Sequence, residues 1–243
     1  MKNTHQQNIF RIFIPALFTI LFLLNSSINA NEQASVDSVL NSIKSTYGKG
    51  KTYKIPFKQT TKYKGFKQTL KGKGEIKLSP GKAVRLEFIA PEKKVLGFNQ
   101  RFYFFWNYEF KEGYRIKATE KLSLPTALTF LWGQGEPAKE YKIEFANFKS
   151  VDSKKYRVLQ FLPLGSKKPF YEKFYYVIDK ESYHIASAIL YTSTSSIIHF
   201  EFDEKSLEYK PEGQEFVLPY KHASKRWTEF SENEEFLKTV LRK

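Results

Sequence analysis

The 243-residue chain contains no cysteine. That absence excludes a disulfide scaffold, thiolate catalysis, cysteine-based zinc and iron–sulfur sites, and lipid anchoring through an N-terminal cysteine. Histidine is nearly as scarce, with His184, His199 and His222 the only ones beyond residue 30. No HExxH or paired-histidine spacing occurs, and no G-x-S-x-G elbow. Gly50-Lys51-Thr52 imitates the end of a phosphate loop, but the glycine required five residues earlier is Ser45, so the match is a chance one. Long apolar runs are also missing, apart from Ile12–Leu24 near the N-terminus.

What is there points to burial and to positive charge. Phe (23), Tyr (15) and Trp (3) make up 17% of the chain, far more than a solvated, disordered polymer carries. Lys and Arg number 40 against 25 Asp and Glu. The basic residues are spread over nearly the whole chain, including Lys49, Lys51, Lys54, Lys58, Lys62, Lys64, Lys67, Lys71 and Lys73. Such a surface suits an anionic membrane or an acidic protein, or simply keeps the protein in solution. Nucleic acid is not expected as a partner of an exported protein.

Export is read from the N-terminus. Lys2 and Arg11 precede the apolar run Ile12–Leu24, which leads through Asn-Ser-Ser-Ile-Asn to Ala30 and Asn31. A charged start, a short apolar stretch and a small residue at the cut predict a cleaved signal peptide over 1–30. A membrane-spanning helix needs about 20 apolar residues, and this run is shorter and contains Pro15. Positions 1–30 hold no acidic residue, so cleavage removes two cations and leaves a net charge of 38 − 25 = +13.

From Gln33 to Tyr47 the apolar residues Val36, Val39, Leu40, Ile43 and Tyr47 follow helical spacing, and Gly48 and Gly50 stop the helix. Thereafter the period changes to two. Val84, Leu86, Phe88 and Ala90 alternate, as do Phe102, Phe104, Trp106, Tyr108 and Phe110. Further runs are Ile143/Phe145, Tyr156/Val158, Phe174/Tyr176/Ile178, Tyr183/Ile185/Ile189/Tyr191, Ile198/Phe200/Phe202 and Phe216/Leu218/Tyr220. With turn residues between them, these predict an antiparallel, hairpin-connected sheet. Leu122–Trp132 breaks the rhythm: apolar nearly all round, with Pro125 early and Gly133 at its end, it predicts a short helix that must be covered on every side, a plug or lid over the sheet. From Trp227 onward glutamates come first and Lys238, Arg242 and Lys243 last, an order that suits a terminal helix.

A sheet with so many aromatics either rolls around a wide apolar concavity or forms an ordinary sandwich core, and composition alone leaves both open. His199 and Glu201, two apart on one strand, share a face and could act as acid and base. The alternation of Ile198, Phe200 and Phe202 gives the opposite face to the core, so a solvated outer pair is the simpler reading.

The order of motifs then resembles a known family. Phe57-Lys58-Gln59, Gly72-Lys73-Gly74-Glu75-Ile76, the turn at Ser79-Pro80, Arg85-Leu86-Glu87-Phe88 and Trp106-Asn107-Tyr108 are similar to the strand motifs of the outer-membrane lipoprotein carrier (LolA) family, over roughly Val36 to Tyr220. The resemblance implies a mainly β fold with a few helices: an unclosed antiparallel half-barrel with a helical lid over a hydrophobic cavity. It implies a carrier domain over 31–223 and leaves a helical tail over 224–243 without counterpart.

By the same resemblance the protein is a periplasmic monomer that takes acylated lipoproteins from an inner-membrane ABC transporter to an outer-membrane acceptor, with no cofactor and no catalysis. Leu86, Phe88, Phe104, Trp106 and Tyr108 would line the cavity, and Leu124, Leu128, Leu131 and Trp132 would form the lid. Burying acyl chains is worth about 0.8 kcal/mol per CH₂, so one chain of ordinary length represents on the order of 10 kcal/mol that a soluble carrier must cover.

Two departures stand out. The family arginine before the turn proline, which bonds the lid in the closed form, is Ser79 here, which makes Arg85 a substitute latch by expectation. The aspartate–glycine turn before the W-x-Y strand reads Asn99-Gln100. Alternatives to the carrier are a lipid- or glycolipid-binding protein or a lipoprotein sensor on the same fold. A hydrolase using His199 and Glu201 would lack a nucleophile and an oxyanion hole.

Overall fold

The computed structural model describes residues 34–48, 51–118, 136–165, 171–203, 207–211, 215–219, 226–231 and 235. The predicted signal peptide and the predicted lid helix, with Leu124, Leu128, Leu131 and Trp132, lie outside these residues. The chain divides into Met1–Ser35 and Val36–Lys243, and the fold below is that of the second unit.

Helix α1 (Val36–Thr46) forms where the helical spacing predicts it, with Asp37 in its first turn and Lys44 in its last, each matched to the helix dipole. Its buried residues are Val39, Leu40 and Ile43. The helix is anchored through the residues that follow it. The Tyr47 hydroxyl accepts a bond from the Ile185 amide at 3.1 Å, and the Tyr53 hydroxyl donates to the Thr46 carbonyl at 2.7 Å. Burial pushes the Tyr47 phenol up to about 12.

The strands are β1 (Tyr53–Lys62), β2 (Thr69–Ser79), β3 (Ala83–Ala90), β4 (Lys94–Phe98), β5 (Phe102–Asn107) and β6 (Glu112–Lys117), then, after a single helical turn α2 (Pro137–Glu140), β7 (Tyr141–Ala146), β8 (Tyr156–Pro163), β9 (Tyr171–Asp179), β10 (Ile185–Thr192), β11 (Ile197–Phe202), β12 (Leu207–Glu208) and β13 (Trp227–Phe230). They form one sheet in the order β13-β6-β5-β4-β3-β2-β1-β11-β10-β9-β8-β7, with β12 paired to β1. Every pairing is antiparallel except that of β13 with β6. The end strands β13 and β7 do not meet, so the sheet is an unclosed half-barrel, as the motif resemblance implies.

Three segments depart from the sequence expectation. Trp227–Phe230, where the charge order predicts helix, is a strand parallel to β6. Tertiary burial overrides local preference there: the Trp227 ring lies 4.8 Å from that of Trp106, in a core cluster with Val95, Phe104 and Leu218. Trp227–Phe230 is therefore part of the sheet, while the rest of the predicted terminal helix, residues 231 and 235 apart, lies outside the described residues.

Phe216 and Leu218 do not start a strand, because residues 215–219 form turns. Carbonyls that a ladder would use bond side chains instead, Phe216 O to Asn99 Nδ2 and Val217 O to Arg85. Finally, Tyr183 sits outside β10 at φ +57°, and an irregularity between Ile185 and Ser187 shifts the phase of the strand. Ile189 and Tyr191 consequently lie on the opposite face from Ile185.

Candidate functional site

The register assigns each side chain to one of two faces, since directly opposed residues share a face. On the face that α1 covers at one end, Phe57 of β1 stands opposite Gly74 of β2 and Phe202 of β11. Gly74 stands opposite Phe88, and Ile76 opposite Leu86. Phe200 lies one step along, opposite Gln59. These aromatics touch. The Phe57 ring is 5.3 Å from Phe88 and 5.5 Å from Phe200, both edge-on, and Phe200 stacks with Phe202 at 6.2 Å.

Gly74 makes this arrangement possible, since a Cβ there would collide with the Phe57 ring and the Glu87 carbonyl. Further along, Tyr141, Phe161, Phe174 and Tyr176 continue the apolar lining. Burial pushes the Tyr176 and Tyr171 phenols far up, as expected of a low-dielectric interior.

This inner face is only partly covered. Phe57, Leu86 and Phe200 are buried, but Phe88, Leu96, Ile198 and Phe202 are half-buried. The Lys94 ammonium lies 5.6 Å from the centre of the Phe88 ring and 3.2 Å from Glu92, so a charged rim borders the aromatic floor.

The predicted cavity residues are divided by the sheet. Leu86 and Phe88 are on the inner face. Leu86 pairs with Leu96 and Leu96 with Phe105, which turns Phe104 and Trp106 to the outer face. Both are fully buried there, beneath Leu218 and Trp227. Their rings fold over glycines of the flanking strands, Phe104 over Gly97 and Trp106 over Gly113, where any Cβ would clash.

Tyr108 lies just past the end of β5 and accepts a 2.8 Å bond from Arg85 through its hydroxyl. Arg85 itself points outward. Its guanidinium also donates to Glu87 at 3.2 Å and to the Val217 carbonyl at 3.4 Å. It fastens the C-terminal segment to the outer face, and so is occupied away from the face that a lid would close.

Sequence reasoning passed over Phe57, Phe200 and Phe202 as lining residues, although Phe57 opens one family motif and the other two alternate. The missing information was the register that brings β11 beside β1. His199 and Glu201 stand on the outer face, opposite Thr60 and Lys58. A recess of about 510 Å³ is lined by Phe57, Gly74 and Phe202 of the aromatic floor together with Pro56, Ile89 and the charged Lys58, Lys73, Glu201 and Asp203. No group of three or more His, Asp or Glu side chains able to hold a metal occurs among the described residues.

The class of protein defined here is an unclosed antiparallel half-barrel with an aromatic, incompletely covered inner face. The outer membrane lipoprotein carrier protein LolA family matches residues 48–218, and the chain belongs to that family. An uncharacterized conserved protein from Thermus thermophilus is similar in structure, with TM-score 0.50, 9% identity, and 81% of this chain and 100% of that one covered. A putative outer membrane lipoprotein-sorting protein domain from Vibrio parahaemolyticus gives TM-score 0.41 at 12% identity, covering 84% and 97%. The complex of MucA and MucB from Pseudomonas aeruginosa gives 0.39 at 15%, covering 70% and 56%. No curated protein matches the sequence.

Proposed function

We propose that this protein is a non-catalytic carrier in the periplasm that shelters the acyl chains of lipoproteins against its inner face. In this reading it receives them from an inner-membrane ABC transporter and delivers them to an acceptor at the outer membrane. The supporting observation is the continuous aromatic floor formed by Phe57, Phe88, Phe200 and Phe202, in a chain of the lipoprotein carrier family. Edge-on aromatic contacts with half-buried margins leave apolar area for a ligand to cover. Each CH₂ that moves from water onto such a surface contributes about 0.8 kcal/mol. Export over 1–30 supplies the compartment, and Leu124–Trp132 would close over the inner face when it is empty.

The test is release. Mature protein, residues 31–243, is added to spheroplasts of its own source, and acylated lipoproteins are sought in a soluble complex with it. ATP-dependent release that fails with Phe88→Glu fits the carrier. No release by a folded protein that still binds a fluorescent fatty acid would move the function to another lipid or to sensing.

A further inference from the structure

The hairpin joining β1 to β2 combines two features that the carrier reading does not use. Its apex is apolar and bare: Phe66 is 75% exposed, Leu70 55% and Tyr63 44%. The apex is built, not frayed. The Phe66 amide donates to the Tyr63 carbonyl at 3.2 Å, Gly65 takes φ +84°, which a side-chain-bearing residue rarely adopts, and the Tyr63 and Phe66 rings meet edge-on at 6.2 Å.

The second feature is charge. Residues 58–73 hold six lysines and no acidic residue. Lys62, Lys64, Lys67 and Lys71 surround the apex, all exposed. Behind them Lys58 stands directly opposite Lys73 of β2, a like-charge cross-strand pair, and opposite Glu201 of β11 on its other side. The neighbouring pair on the same ladder, Lys54 and Lys77, is handled differently, because Glu75 bridges both at 3.1 and 3.5 Å and Glu215 reaches Lys77 at 3.0 Å. Among the described residues no ion pair involves the six hairpin lysines.

We propose that this hairpin is a docking element for an anionic membrane surface, with Phe66, Leu70 and Tyr63 entering the headgroup–acyl boundary and the lysines ringed around them meeting lipid phosphates. Aromatic and aliphatic side chains gain by entering that boundary. Each lysine held near an anionic surface multiplies partitioning by about fivefold. A surface serving only solubility would leave no aromatic apex exposed at the centre of the charge. The proposal does not rest on what the inner face carries.

The test is flotation of the mature chain with vesicles of phosphatidylcholine alone or with added phosphatidylglycerol. Binding is expected only to the anionic vesicles, and it should fall more than tenfold between about 0.05 and 0.5 M salt. The triple variant Lys64→Gln, Lys67→Gln, Lys71→Gln should weaken it by about a hundredfold, three successive fivefold losses. Phe66→Ser should weaken it about tenfold while the salt dependence stays the same. All variants should keep the parent's midpoint in urea denaturation, which certifies their fold. Absence of binding to anionic vesicles, binding indifferent to both sets of substitutions, or capture by an acidic polypeptide in place of vesicles would overturn the proposal.

Discussion

Two phenylalanines on strands β3 and β5, separated by β4, should respond in opposite ways to the same truncation. Phe88 is half-buried on the inner face, edge-on to Phe57 at 5.3 Å. Phe104 is fully buried on the outer face, between Trp106 and Gly97. Full burial of a phenylalanine side chain is worth about 1.5–3 kcal/mol. Since Phe88 is already partly covered in the empty protein, a ligand gains roughly half of that. Phe88→Ala should therefore weaken a fluorescent fatty acid by about four- to tenfold and cost only about 1 kcal/mol of stability, the half of its burial present in the empty protein.

Phe104→Ala removes a ring from a closed cluster and should cost about 3–5 kcal/mol of stability. Its affinity for the probe should be unchanged wherever the protein is folded. Probe titration and urea denaturation on both variants read these out. Loss of affinity in Phe104→Ala at an unchanged denaturation midpoint would refute the assignment of faces, and an unchanged affinity in Phe88→Ala would refute the inner face as the binding surface.

Further expectations follow the same geometry. Trp227→Ala should cost about 3–5 kcal/mol in urea denaturation, because its ring closes the cluster over Trp106. Gly113→Ala should also destabilise the protein, since the added Cβ meets both the Trp106 and Trp227 rings, and the matching control Gly81→Ala meets no atom and tests only the cost of φ +72°. The Asp179 carboxylate accepts bonds from the Ser182 amide at 2.8 Å, its hydroxyl at 2.9 Å and the Glu181 amide at 3.0 Å, and the Ser182 bond first of all holds it below the ordinary range. A depressed folded value means stabilisation present above the unfolded value, about 4, and lost as pH falls through the lower folded one. Asp179→Asn should thus lower the denaturation midpoint at neutral pH, with the gap closing under acid. His199→Ala should leave fatty-acid binding unchanged, and a large loss would bring the outer face into the binding surface.

The half-barrel was legible because its periods are clean. Val39, Leu40 and Ile43 mark α1, and alternation marks β3, β9 and β11. The faces were less so. In Phe102–Asn107 nearly every residue is apolar or aromatic, so the run has no phase of its own. Pairing with β4 decides which members face inward, and the one local sign of it was the glycines at 97 and 113 that receive the outer rings.

The phase shift in β10 likewise leaves no trace in an alternating string. The segment around Trp227 misled for a different reason: charge order speaks to helix ends, while a buried tryptophan pair is worth more than a dipole contact of about 0.3–1 kcal/mol. Arg85 was legible as important but not for what it does, since only the fold brings Tyr108 and Val217 to its guanidinium.

The most direct test of acyl shelter places a photo-crosslinking amino acid at position 88 and, separately, at position 199, and illuminates each protein after incubation with membranes that carry radiolabelled acylated lipoprotein. The account predicts label captured at 88, on the inner face, and none at 199, on the outer. Capture at 199 with none at 88 would contradict it.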